Sequence, residues 1–318
     1  MEKPVKLYIV VPCYNEEPVL PDTCQKLLEL FESMYKNSLI SSKSRIVFID
    51  DGSKDKTWDI IHDFSKQHKS IRGIKLAHNA GHQNALYGGL MAIKDSCDCA
   101  ISIDADLQDD ISVIPEMVQK FATEGCEIVY GVRKGRKSDT AFKRSTAIAF
   151  YKLMNFMGVD MVYNHADYRL MSRKALDSLS TFEERNLFLR GMVPLLGLKS
   201  ASVYYDRGER LAGESKYPLK KMLSFAFDGI TSFSIKPIRI ILVFGFLVCI
   251  FAAIMAGYAI VQKLSGHTDA GWASIMCSIW FIGGFQLLGI GLIGEYIGKI
   301  YKEVKRRPRY IIEEITED

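Results

Sequence analysis

Two stretches near the C-terminus set the tightest limit on how this chain can fold. IILVFGFLVCIFAAIMAGYAIV lies between Arg239 and Lys263, AGWASIMCSIWFIGGFQLLGIGLIG lies between Asp269 and Glu295, and neither holds a charged residue. Each exceeds the ~20 apolar residues that carry a helix across a bilayer. A helix packed in a soluble core normally keeps one polar face, and these have none, so two membrane spans are expected over residues 236–298. The linker QKLSGHTD carries little positive charge. Lys236 and Arg239 precede the first span, and Lys299, Lys302, Lys305, Arg306, Arg307 and Arg309 follow the second. The positive-inside rule then predicts a multi-pass protein of the cytoplasmic (inner) membrane with both termini in the cytoplasm and residues 299–318 as a basic tail. Gly294 and Gly298 form a small-xxx-small pair, compatible with close helix packing, and a homo-oligomer is expected.

The rest of the chain is long enough to bury a substantial core. The net charge of the whole chain, +4 over 318 residues, is small, and no long basic run is threaded with aromatics, so nucleic acid is not an expected partner. Seven cysteines, with Cys97 and Cys99 too close for a zinc or redox pair, read as reduced or buried thiols. The apolar run after the N-terminus is too short for a signal-peptide core, so synthesis is expected to begin in the cytosol.

Ahead of the spans, short runs rich in Val and Ile alternate with amphipathic segments. KLYIVVPCYN, RIVFIDDGS, IRGIKLAHN, CAISIDAD and EIVYGVRK read as buried strands; EEPVLPDTCQKLLELFESMY, DKTWDIIHDFSKQ and ISVIPEMVQKFATEG read as helices. Such alternation predicts an α/β fold with a mostly parallel, Rossmann-like sheet covered on both faces. Ligands of such sheets sit at the carboxyl ends of the strands, where PCYNEE, DDGSKD and DADLQDD all fall. After Arg136 the alternation fails, which suggests one half over residues 1–135 and a second over 136–235. Within the second, 142–157 and 218–233 carry apolar residues at helical spacing beside lysines and arginines. A globular core helix is the ordinary reading of such a stripe; the basic flanks and nearby spans favour helices lying in the membrane interface.

SIDADLQDD puts four carboxylates and an amide into nine residues at a strand end. Carboxylates gathered this way repel each other and are driven toward protonation unless a cation sits among them. Mg²⁺ is typically held by one or two carboxylates together with substrate phosphates. Asp104 and Asp106, one residue apart on an extended segment, share a face and can address one metal, with Gln108 next in register. Asp109 and Asp110 are read instead as capping the following helix. Asp50 and Asp51 in DDGSKD make a turn into a helix, or accept hydrogen bonds from a nucleotide base or ribose. In VPCYNEE, Pro12 shapes the loop, Tyr14 packs on a flat ring and Glu16 accepts from ribose hydroxyls.

Taken in order, VPCYNEE, DDGSKDKT, HNAGHQNALYGGL, IDADLQDD, DYRLMSRKAL, FLRG, RLAGESKYPLKKM and DGITSFSIKPIRI resemble the family 2 glycosyltransferases that load a sugar onto polyprenyl phosphate, nearest the bactoprenol glucosyltransferases and similar also to dolichol-phosphate mannose synthases. The resemblance implies a GT-A fold. Asp104, Asp106 and Gln108 would then bind Mg²⁺ or Mn²⁺ on the diphosphate of a nucleotide sugar. Pro12, Tyr14, Glu16, Asp50, Asp51 and Ala105 resemble the nucleotide pocket, and Arg133 and Arg144 match basic positions near the acceptor phosphate. Arg210, Ser215 and Lys216 match a loop that closes over the reacting phosphates, and Asp167 matches a carboxylate beside the reacting sugar. Asp106, Asp167, Arg210 and Lys216 are the expected catalytic residues. HNAG departs from the subgroup, which usually has an aromatic where Ala80 stands. His78 and His82 are read as helix-entry packing, not as metal ligands.

The resemblance implies inverting transfer of glucose from a UDP-sugar to undecaprenyl phosphate, with N-acetylglucosamine or GDP-mannose as alternative donors. A non-catalytic nucleotide-sugar-binding scaffold is the alternative outside enzymes. A processive polysaccharide synthase would bring a Gln-x-x-Arg-Trp motif and further spans, which the chain lacks. An aspartate-nucleophile phosphatase usually follows its Asp-x-Asp differently from Leu107 and Gln108. Most of a phosphate monoester is already dianionic at neutral pH, its second pKa lying near ~6. Asp167 is therefore expected to orient the sugar or acceptor more than to take a proton.

Overall fold

The computed structural model describes residues 4–134, 165–206, 230–231, 234–265 and 271–316. The chain divides into two units, one holding residues 1–151, 160–217 and 307–318, the other 152–159 and 218–306. The expected boundary at residue 135 thus falls inside the first unit. Arg144, Arg210, Ser215, Lys216 and the stripes 142–157 and 218–233, apart from Ile230 and Thr231, lie outside the described residues.

The first unit is built on one eight-stranded sheet in the order β7-β5-β6-β4-β1-β2-β3-β8. Its strands are β1 (Leu7–Cys13), β2 (Arg45–Asp50), β3 (Ile71–Leu76), β4 (Cys99–Ser102), β5 (Ile128–Arg133), β6 (His165–Ser172), β7 (Ser200–Tyr205) and β8 (Ile312–Ile315). The first four strands run parallel, with Val10 opposite Val47 on one side and Ser102 on the other. β6 is antiparallel to both β4 and β5, while β5 and β7 are parallel. Every residue of β1 is buried, as a central strand covered on both faces requires.

The five strands expected from Val/Ile runs are all present, but β6 and β7 were not anticipated. In β6 the masking residues are Asp167 and Arg169, charged yet buried at 5% and 1% exposure, which break the apolar run that marks a buried strand. The helices are α1 (Leu20–Lys36), α2 (Thr57–Gln67), α3 (His82–Ile93), α4 (Ile114–Glu124), α5 (Arg173–Ser180) and α6 (Leu189–Leu195). α1 starts with a proline in its first turn and buries Leu20, Thr23, Cys24, Leu27, Phe31 and Met34, one stripe at helical spacing. α4 begins similarly at Pro115 and stops where Gly125 turns left-handed at φ 63°. α5 is capped by Ser172, whose hydroxyl accepts from the Ala175 N–H at 3.0 Å. Cys13, Cys24, Cys97, Cys99 and Cys126 are buried free thiols, as read from sequence.

The second unit contributes α7 (Lys236–Leu264) and α8 (Trp272–Lys305), of 29 and 34 residues. At 1.5 Å per residue they measure roughly 44 and 51 Å, beyond the ~30 Å of a bilayer's hydrocarbon core. Both are long and apolar enough to cross a membrane by length and composition, and Leu242, Phe246, Leu287 and Leu288 project outward at 66–71% exposure. They meet through Phe244 and Phe285, ring centroids 4.6 Å apart, and through Ile241 against Gly289. Gly294 and Gly298 face open space. Within the stretch 299–318 expected as a basic tail, α8 runs on to Lys305, Arg306 ends it left-handed at φ 47°, and Ile312–Ile315 join the sheet as β8.

Candidate active site

The carboxyl ends of β1 and β2 carry two loops that hold each other. The Asn15 N–H donates to the Ser53 hydroxyl at 3.0 Å, and the Lys54 N–H returns to Asn15 Oδ1 at 2.9 Å. Glu16 N–H donates to Thr57 Oγ1 at 2.9 Å, Glu17 N–H to Asp55 Oδ2 at 3.2 Å, and Lys56 N–H to Glu17 Oε2 at 3.2 Å. Pro12 is buried at the strand end and Tyr14 stands out at 42% exposure, placed to offer its ring. This reciprocal stapling fixes the nucleotide-pocket candidates before any ligand arrives.

Asp50 takes the turn-forming role, and Asp51 holds a neighbouring loop. Asp50 is fully buried and accepts from the Ser53 N–H at 3.2 Å, the turn-forming role; burial raises its carboxyl above the usual range against that hydrogen bond. Asp51 reaches the loop ahead of α3, one oxygen accepting from Ala80 N–H at 2.6 Å and the other from Gly81 N–H at 3.0 Å. Burial pushes Asp51 up, and the two N–H donors act against it. That clamp stands where Ala80 replaces the subgroup's aromatic. Gly52, at φ 66°, makes it possible: a Cβ there would lie 2.7 Å from Asn79 N and His78 C.

After β4, Asp104 and Asp106 line the floor of the cleft. Ala105 between them is buried, and its carbonyl accepts from Thr23 Oγ1 at 2.6 Å, anchoring the loop to α1. Leu107 turns left-handed at φ 42°. Gln108 is buried and its side-chain amide donates to Asp106 Oδ2, so that amide orients the carboxylate. Crowding by protein raises the Asp104 carboxyl to about 6, with Asp167, Asp109 and Asp106 adding to the effect and His82 opposing it. Its side chain is nonetheless 42% open to water on the cleft side. Asp110 accepts from the Ser112 N–H at 2.9 Å and caps the turn leading to α4, as expected. Asp109 does not cap: it is buried against Arg133 Nη2 at 2.8 Å and Tyr205 OH at 2.5 Å.

That pairing also occupies Arg133, expected near an acceptor phosphate. Its Nε donates to Asp109 at 3.2 Å, and the pair keeps the guanidinium firmly charged against the opposing effect of burial.

Asp167, on β6, sits beside this floor at 5% exposure. Arg169 donates to its Oδ1; Arg190 from α6 donates to Oδ2 at 3.0 and 3.2 Å, and Gln83 Nε2 from α3 at 3.2 Å. Burial alone would raise this carboxyl, but Arg190, Arg169 and His82 hold it well below the usual carboxylate range. The group is a fixed anion and a poor proton acceptor. His82, the first residue of α3, places Nε2 3.6 Å from Asp104 and 3.9 Å from Asp167. His82 was read from sequence only as helix-entry packing, and Gln83, Arg169 and Arg190 had no assigned role. HNAGHQNAL, DYRLM and FLRG flagged their neighbourhoods without showing that three distant segments converge on one carboxylate.

Residues 8–180 match the family described as Glycosyl transferase family 2, and residues 236–300 match the GtrB C-terminal hairpin. The chain is 58% identical to the uncharacterized glycosyltransferase YkoT of Bacillus subtilis over 96% of its length and 91% of that protein. It is 39% identical to the prophage bactoprenol glucosyl transferase homolog of Escherichia coli, over 98% of this chain and 99% of that one. Among solved structures, glucosyl-3-phosphoglycerate synthase from Mycobacterium tuberculosis in complex with Mn²⁺, uridine diphosphate and glucosyl-3-phosphoglycerate is 19% identical, with a TM-score of 0.45 over 71% of this chain and 78% of that one. The mixed sheet is GT-A-like, with the paired aspartates at its strand ends, and this chain belongs to glycosyl transferase family 2, carrying a GtrB-type C-terminal hairpin.

Proposed function

We propose that the chain transfers a hexose, with inversion, from a uridine diphosphate sugar to the phosphate of undecaprenyl phosphate at the cytoplasmic face of the membrane, α7 and α8 crossing the bilayer. One juxtaposition carries this reading. Asp104 and Asp106 stand at the strand ends beside a doubly arginine-held Asp167, in a chain that continues into two long apolar helices. Relatives named bactoprenol glucosyl transferases favour glucose, with N-acetylglucosamine and GDP-mannose as the competing donors.

Asp104 and Asp106 offer hard oxygen donors, and among the described residues no group of three or more His, Cys, Asp or Glu could hold a metal ion. Such a donor pair fits Mg²⁺ or Mn²⁺ completing its shell with phosphate oxygens and water. The ion, when bound, would neutralise charge on the departing diphosphate. The stapled loops with Tyr14 and Glu16 hold the nucleoside, and Gln108 keeps Asp106 aimed into the cleft. Asp167, locked as an anion, orients sugar hydroxyls or the acceptor; the lipid phosphate, already dianionic, attacks the anomeric carbon without a base. Arg144, Arg210, Ser215 and Lys216 would meet the phosphates. Self-association belongs to the same reading, with Gly294 and Gly298 offering a close-packing face, and the mass of the detergent-extracted particle tests it.

The test uses the full chain in detergent with undecaprenyl phosphate and Mg²⁺ or Mn²⁺, offering each nucleotide sugar in turn and following nucleotide release and lipid-linked product. Product with one donor, lost on chelation and in Asp106→Asn, is expected. Protein that binds uridine diphosphate yet forms no lipid product with any donor would favour the scaffold.

A further inference from the structure

The segment that follows α8 returns to the first unit and grips it at three points. β8 pairs antiparallel with β3, Ile74 opposite Ile315 and Lys75 opposite Glu314. The Ala77 N–H donates to the Ile311 carbonyl at 2.9 Å; at the far end Thr316 N–H donates to Gly73 O at 3.0 Å, and Gly73 N–H to Thr316 Oγ1 at 2.9 Å. Just before the strand, Tyr310 lays its ring on α3 at Gly88, where a Cβ would come within 3.1 Å of three ring atoms. Arg309 stacks its guanidinium 4.5 Å from the Tyr87 ring centre and donates Nη2–H to the Phe182 carbonyl at 2.7 Å.

Two adjacent glycines inside a helix are costly, roughly 1 kcal/mol each relative to alanine. Here each admits a close neighbour on a different side. A Cβ on Gly89 would meet Ile49 at 2.6 Å and Val10 at 2.9 Å in the sheet, and one on Gly88 would meet Tyr310. α3 is therefore pinched between the sheet and the strap. Its first turn supplies His82 beside Asp104 and Gln83 on Asp167, and Gln83 Oε1 also accepts from the Leu189 N–H at 3.0 Å. Six residues separate Gly88 from His82, roughly 9 Å of helix, so movement at the clamp is carried to the cleft with little loss.

We propose that Arg309 and Tyr310 are positioning residues for sugar transfer, acting through α3 to set His82 and Gln83 against Asp104 and Asp167. The inference rests on the transfer activity proposed above. The nucleotide loops are held mainly by each other, with the Asp51 clamp on the Ala80 and Gly81 N–H groups as their link to the start of α3, so the strap governs turnover more than donor binding.

Tyr310→Ala in the full-length protein is expected to lower kcat about tenfold or more with the KM for nucleotide sugar nearly unchanged, and Tyr310→Phe, which keeps the ring, to restore it. Gly88→Ala should lower kcat in the wild-type background and add nothing in Tyr310→Ala, because the ring it crowds is gone. Hydrogen exchange over residues 78–86 should speed in Tyr310→Ala while peptides of β1 and β2 stay protected. Wild-type kcat in Tyr310→Ala, additive effects of the two substitutions, or unchanged exchange at the start of α3 would each overturn the proposal. Wild-type protein that transfers no sugar refutes the transfer reading instead, and the exchange measurement then decides the strap by itself.

Discussion

Asp167→Asn separates an orienting carboxylate from a catalytic base. Asparagine keeps the shape, but its single amide oxygen can serve only one side: turned to Arg190 and Gln83, it leaves an NH2 donor facing Arg169, and the negative charge between the two guanidinium groups is gone. Arg169, at 1% exposure, would then depend on the Leu189 carbonyl at 3.2 Å. A buried charge stripped of its partner costs about 3–5 kcal/mol. Arg190 is 31% exposed on its side chain and re-solvates cheaply, which puts the expectation near the lower end. About 3 kcal/mol lowers the thermal midpoint of a unit this size by roughly 6–12 °C. Because the folded-state pKa of Asp167 is depressed, the stability it contributes is complete above its unfolded value near ~4 and fades as pH falls below that. The gap between wild type and variant, measured by denaturant at pH 7 and pH 3, should therefore narrow at the lower pH. Turnover should fall roughly a hundredfold through misplacement of the reacting groups. Above pH 7 the shape of its pH profile should be unchanged, since the acceptor phosphate and Asp104, both near ~6, are already ionised there in both proteins. A wild-type rate that keeps rising with pH beyond the acceptor's ionisation, and loses that rise in Asp167→Asn, would refute the orienting role.

Asp104→Asn and Asp106→Asn should each abolish lipid-linked product while leaving the thermal midpoint within a few degrees, and chelator should reproduce the loss in wild type. Gly52→Ala must place a Cβ 2.7 Å from the Asn79 and His78 backbone at φ 66°, so it should cost more than ~1 kcal/mol and weaken uridine diphosphate binding, read by calorimetry. Arg133→Gln leaves the buried Asp109 with Tyr205 and without its guanidinium; stability should drop by about 3 kcal/mol while the KM for polyprenyl phosphate stays unchanged.

The first five strands were readable because β1 to β5 are short apolar runs ending in polar turns, a local pattern. The paired aspartates were readable for the same reason, being neighbours in sequence. β6 was hidden because its buried positions carry an ion pair, and burial of Asp167 and Arg169 follows only from what Arg190 and Gln83 bring from elsewhere. β8 was hidden because IEEI after a basic run looks like solvated chain; four residues gain strand character only from pairing with β3. The partner of Arg133 was equally hidden, since the carboxylate it meets lies 24 residues earlier.

The place of β8 in the sheet also orders events during synthesis. Leu76, at the end of β3, and Thr316, just past β8, are 240 residues apart, with both apolar helices between them. At translation rates of ~5–20 residues per second, β3 is an open edge for roughly 12–48 s after it emerges. An unpaired edge invites pairing with other chains, so nascent molecules need their neighbours kept away over that interval. A ribosome that stalls within the hairpin releases a sheet seven strands wide, with α3 lacking its outer clamp, so quality control can distinguish unfinished chains by the accessibility of one strand.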